Sequence, residues 1–224
     1  MFGLVETIRA VAGEGRAVLV DHGDWMAWNT LLAMVPLFLA TRLFRKENER
    51  TWRWWLGTAA FVAFLPNAPY VLTDVVHLVT DIRRGHHTDL EVLFLVMPLY
   101  LGFFTVGFGC YVLALQRLRL YLSVTSPRVR WWVVAVALHG LCAIGLYLGR
   151  VLRFNSWDIV VSPGRLIGTA DTLTDTLPMV AMAVMFMILV VLTALFDVII
   201  EGCERRVRLL ADLGREKAER YGLI

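Results

Sequence analysis

Charge is in short supply in this chain. Asp, Glu, Lys and Arg make up 18% of its 224 residues, where soluble globular domains carry about a quarter. The shortage excludes a disordered chain, which needs much charge and little apolar bulk. Cysteine is scarcer still, with three residues, Cys110, Cys142 and Cys203, and no Cys-x-x-Cys pair. That excludes a disulfide framework and a zinc knuckle. Glycine and proline, at 17 and 7 residues, are too few for collagen. No internal repeat is present either. Ala33–Ala40 (AMVPLFLA) resembles Val96–Gly102 (VMPLYLG), but the likeness is too short for the inverted repeats of a transporter. It reads instead as two spans, each kinked at a proline, Pro36 and Pro98.

What is present is apolar bulk, 58% of all residues. It gathers into five stretches long enough to cross a bilayer as helices, at about 25–44, 54–72, 92–115, 131–149 and 178–200. Backbone polar groups in hydrocarbon must be satisfied within the segment, so spans of this length are helices. The expectation is an all-α polytopic transmembrane bundle forming one membrane domain over residues 1–224. Trp25, Trp28, Trp52, Trp54, Trp55, Trp131, Trp132 and Trp157 stand near segment ends, as interfacial anchors do. Residues 1–24 differ. Leu4, Val5, Ile8, Val11 and Ala12 follow helical spacing among Glu6, Arg9, Glu14 and Arg16. The pattern predicts an amphipathic interfacial helix. It lacks the basic start and continuous apolar core of a signal peptide.

The basic residues report orientation. Arg42, Arg45, Lys46, Arg50 and Arg53, then Arg117, Arg119, Arg128 and Arg130, then six in the basic tail at 201–224 place fifteen on one side. Seven remain on the other, out of 22. The positive-inside rule puts the N-terminus outside and the C-terminus in the cytoplasm. Because the basic residues follow topology, the net charge of +3 implies no nucleic-acid partner. The partner it implies is the lipid bilayer.

Polar residues collect at two span ends. Residues 64–81 read FLPNAPYVLTDVVHLVTD. Pro66 and Pro69 break a helix there, and Asn67 is placed to cap a new segment. On that segment Tyr70, Asp74, His77 and Asp81 fall on one helical face. A carboxylate three residues before a histidine suits acid–base chemistry or a metal, so Asp74 and His77 are the catalytic candidates. Residues 145–158 read GLYLGRVLRFNSWD. Arg150 and Arg153 lie one turn apart and suit a carboxylate or phosphate. Tyr70, Asn155 and Asp158 complete the candidate anion site, with a lipid phosphate as one fitting ligand. Gly145 and Gly149 would admit a close helix neighbour. The competing reading is that the acids merely neutralise the arginines and pin two helices together.

Other signals are weaker. His86 and His87, beside Asp89 and Glu91 in a short loop, are the metal candidates, although adjacent histidines without partners are usually just solvated. His139 lies mid-span, where a hydrogen bond to a neighbouring helix accounts for it. Haem would need a second axial ligand at that depth, and His77 sits too near the end of its span. No cofactor is indicated. Asp197 near the end of the fifth span is expected to face water.

The stretches LPNAPY-xx-TD (65–74) and GR-xx-R-x-NSWD (149–158) resemble the two signatures of a bacterial membrane family, "domain of unknown function 1361". The resemblance covers about residues 25–200. It implies an integral bacterial inner-membrane protein with no established activity. Three functions are open at this point. One is a membrane enzyme or binding protein with an outward-facing polar pocket. Another is a structural or accessory subunit of a larger membrane complex. The least favoured is a transporter, because few ionisable residues lie at the midplane.

Overall fold

The computed structural model describes residues 2–46, 48–84, 88–154 and 170–220, with Val161, Gly164 and Gly168. Among these residues all regular structure is helical. Helix α1 (Phe2–Leu43) is continuous, so the N-terminal stretch is helical as expected but is not a separate element. No proline precedes Pro36 in this stretch, and an established helix propagates until a breaker stops it. Even Pro36, fully buried, leaves α1 uninterrupted. Helix α2 (Trp52–Phe64) starts at Thr51, whose hydroxyl accepts from Trp54 N. It stops at the first proline of the LPNAP run.

The chain does not leave the bundle there. It continues as α3 (Asn67–Tyr70), a 3₁₀ turn (Val71–Asp74) and α4 (Val75–Arg84). Pro66, not Asn67, occupies the cap position of α3. Helix α5 (Asp89–Glu91) opens with a capping box between Thr88 and Glu91. It leads through a π turn (Val92–Val96) into α6 (Met97–Thr125). Pro98 sits in the first turn of α6, where its missing N–H costs little. Helices α7 (Trp131–Arg150), α8 (Ala170–Leu173) and α9 (Thr176–Arg220) follow.

Among the described residues five helical stretches are long and apolar enough to span a membrane: Gly23–Leu43, Trp52–Arg83, Asp89–Thr125, Trp131–Arg150 and Thr176–Asp212. The second is longer than its apolar run suggested. The prolines divide it without ending it. The fifth runs on into the basic tail, where Arg205–Glu201 and Arg208–Glu204 pair at i,i+4.

Helix α1 packs along α6 and against α2 and α3, while α7 packs along α9. The short α3 touches α1, α6 and α7, so the broken helix lies where three spans meet. Small residues permit this. A Cβ on Gly145 would fall 2.8 Å from Pro66, and one on Gly107 would fall 2.5 Å from Val71 Cγ2. The core around them holds Phe61, Leu65, Tyr100, Phe108 and Tyr111. At the Thr51 end, Arg50 donates to Tyr121 Oη, Thr125 Oγ1 and Ser126 Oγ. It also stacks over Trp54 and Tyr121. A residue that the sequence marks only as a topogenic charge thus fastens the start of the second span to the end of α6.

Candidate functional site

The 3₁₀ turn carries Asp74 into the space between α1 and α7. Its side chain is 2% exposed, and a carboxylate so deep must be hydrogen-bonded. Asn29 Nδ2, from α1, donates to Oδ2 at 3.0 Å. Arg150 Nη1, from α7, donates to Oδ1 at 3.1 Å. Arg150 Nη2 donates to the Thr73 carbonyl at 2.9 Å. The Thr73 hydroxyl donates back to the Tyr70 carbonyl at 2.7 Å. One carboxylate therefore ties three spans together, and the arginine also serves a carbonyl that the 3₁₀ turn leaves over.

Tyr70 lies beneath Arg150, with the guanidinium carbon 5.8 Å from its ring centre. Gly149 makes this possible, since a Cβ there would approach Tyr70 to 3.1 Å. Gly145 and Gly149 thus admit α3 as their spacing suggested. Arg150 keeps 25% of its side-chain surface open. His77 is 51% exposed, with Nε2 3.9 Å from Asp74 Oδ1. That distance is too long for a hydrogen bond. The ring of His77 rests 5.0 Å from Trp25 of α1.

The structure therefore brings Tyr70, Asp74, His77 and Arg150 to one place. Asp81, expected on the same face, accepts from Tyr100 Oη at 2.6 Å. Arg153 is exposed and lies past the end of α7 with φ 57°. The Phe154 N–H beyond it reaches back to the Leu148 carbonyl at 3.0 Å. A left-handed residue ends a helix and redirects its side chain, so Arg153 does not continue the Arg150 face. Asn155, Asp158, His86 and His87 lie outside the described residues. Among the described residues no three His, Cys, Asp or Glu side chains cluster so as to hold a metal.

Two contributors were not anticipated. The sequence marks Trp25 only as a membrane anchor, and Asn29 stands in no motif. A polar amide one helical turn from a tryptophan, inside an apolar span, is the signal that would have found them. His139 is hydrogen-bonded across helices, its Nδ1 being 2.6 Å from Tyr111 Oη. Asp197, expected in water, is instead half-buried and accepts from Gln116 Nε2 at 2.7 Å.

These features define an all-helical, multi-spanning membrane protein in which a broken second span supplies a buried carboxylate to its neighbours. Residues 28–192 match the family model "Protein of unknown function (DUF1361)", and the chain belongs to that family. No curated protein matches the sequence, and no solved structure does.

Proposed function

We propose that the ends of the second and fourth spans form an anion-binding site on the extracytoplasmic face of a bacterial inner membrane. Arg150 and His77 face the ligand, which is a phosphate-bearing group such as a lipid headgroup. Asp74 is the anchor that fixes Arg150. Tyr70 supports the guanidinium from below, and the exposed Arg153 is a further cation for the ligand. The outward orientation rests on the distribution of basic residues, fifteen against seven.

The observation that carries the reading is the state of Arg150. Its guanidinium is held from behind by Asp74 and the Thr73 carbonyl, yet a quarter of the side chain stays open beside the half-exposed His77. A guanidinium has five N–H donors, so two bonds to protein leave three for a ligand. Fixing the arginine in advance removes part of the entropy cost of binding. Asp74 itself, with Asn29 and Arg150 on its oxygens, is better placed to position than to transfer a proton.

The test is calorimetric titration of the detergent-solubilised protein with inorganic phosphate and with short-chain phosphatidic acid. His77→Ala and Arg153→Ala alter exposed side chains and are expected to leave the fold intact. Each should weaken binding about tenfold, the equivalent of one charge-assisted hydrogen bond. Wild-type protein that takes up neither ligand would sink the reading.

A second reading is favoured by one specific observation. Each terminal nitrogen of Arg150 makes a bond to the second span, and Asp74 joins α1 and α7 through Asn29 and Arg150. That is the geometry of a helix clamp. On this reading the protein is a structural or accessory subunit. The last span, with 6% of its apolar window buried against the rest of the chain, offers the surface for other membrane subunits.

A further inference from the structure

A second polar site lies at the opposite end of the bundle from Asp74. A cleft of about 160 Å³ opens between α6, α7 and α9. Its polar lining is Gln116, Arg119, Trp131, His139, Thr193 and Asp197. Trp131 is the first residue of α7 and His139 lies eight positions further on. The cleft therefore runs from the helix ends inward by about 12 Å at 1.5 Å per residue. That is room for one small polar group.

The lining has unused hydrogen-bonding capacity. Asp197 Oδ1 accepts from Gln116, and its other oxygen accepts nothing from the described residues. His139 spends Nδ1 on Tyr111, which leaves Nε2 for the cleft. Thr193 Oγ1 is shielded and has no hydrogen-bond partner among the described residues. The second Asp197 oxygen and His139 Nε2 suit a group that brings a donor of its own. The two charges in the lining have opposite sign. Asp197 lies inside, half-buried, and Arg119 is exposed at the rim. A simple anion would meet Asp197, and a simple cation would meet Arg119.

We infer that this cleft binds a zwitterionic ammonium–phosphate group of the phosphoethanolamine type, carried by a phospholipid of the adjacent leaflet. The ammonium donates to Asp197, the phosphate pairs with Arg119, and Trp131 stands at the interfacial level where such headgroups lie. The open, apolar flank of α9 leaves room for the acyl chains. This site shares no residue with the Asp74–Arg150 site, and neither proposal depends on the other.

The experiment reconstitutes the full chain in bilayers of equal phosphatidylethanolamine and phosphatidylglycerol, extracts it mildly, and measures retained lipid by native mass spectrometry. Thermal unfolding is followed with and without soluble phosphoethanolamine. The wild type is expected to retain phosphatidylethanolamine about tenfold over its bulk proportion, the worth of one ion-paired ammonium. Asp197→Asn keeps the shape and the acceptor for Gln116, and should bring the ratio back to bulk. Arg119→Gln, at an exposed position, should lower retention of both lipids. Stabilisation by soluble phosphoethanolamine without lipid enrichment would assign the site to a dissolved zwitterion instead. A wild type that shows neither effect overturns the proposal, as does undiminished enrichment in Asp197→Asn.

Discussion

Asp74→Ala is expected to lower stability in detergent by about 3 kcal/mol. The substitution leaves Arg150 without its carboxylate and Asn29 without its acceptor. Breaking a buried ion pair by removing one partner costs about 3–5 kcal/mol, because the survivor is an uncompensated charge. The lower end applies here, since Arg150 is a quarter open and can snorkel toward headgroups. Neutral hydrogen bonds between membrane helices are weaker, at about 0.6 kcal/mol on average, so the loss separates a charge effect from a mere missing bond. Asp74→Ala combined with Arg150→Met should recover most of the loss. Thermal and denaturant unfolding of the two single variants and the double variant measures the coupling. Additive losses would mean that the pair contributes nothing as a pair.

Two glycines on one helix should respond with opposite signs. A Cβ on Gly107 would lie 2.5 Å and 2.7 Å from the two methyls of Val71 and 3.1 Å from its Cβ, whereas Gly102 has nothing within 4 Å. Val71 is fully buried on the 3₁₀ turn and has no room to retreat. Gly107→Ala should therefore destabilise by about 2–3 kcal/mol through overpacking. Gly102→Ala should be neutral or stabilise by up to about 1 kcal/mol, because alanine is the better helix former. Val71→Ala removes both methyls but keeps the Cβ, so it should rescue Gly107→Ala only in part. The same unfolding assay reads all of these. Equal effects at the two glycines would contradict the close approach of α6 to the broken span.

Much of this was legible beforehand because the bilayer imposes a length and a polarity on each span. The five helices follow from apolar runs alone. The meeting of Asp74 with Arg150 was an expectation from matching depth, which does not by itself make two helices neighbours. What was hidden depended on local winding. The prolines at 66 and 69 look like a stop in the sequence, but the chain continues through a 3₁₀ turn that carries Asp74 inward, and the sequence does not show that Asp81 takes Tyr100 as its partner. Arg153 looks equivalent to Arg150 one turn later, yet α7 has ended and a left-handed residue no longer follows helical spacing. Asn29 was hidden for another reason. A lone amide in an apolar run has no spacing pattern to betray its partner. Arg50 and Asp197 were read by depth and sign only, which cannot reveal that each faces a neighbouring helix.

The outward placement of the Asp74–Arg150 site is most directly tested by side-selective labelling. His77 is half-exposed beside Asp74, and Glu49 is exposed in the loop before α2. Cys203 is the exposed native thiol, while Cys110 and Cys142 are buried, so Cys203→Ser supplies the background. His77→Cys and Glu49→Cys are then treated with a membrane-impermeant maleimide in intact cells and again after permeabilisation. His77→Cys is expected to react in intact cells, and Glu49→Cys only once the membrane is opened. Labelling of Glu49→Cys in intact cells, with His77→Cys protected until permeabilisation, would place the site on the cytoplasmic face and contradict the proposed function.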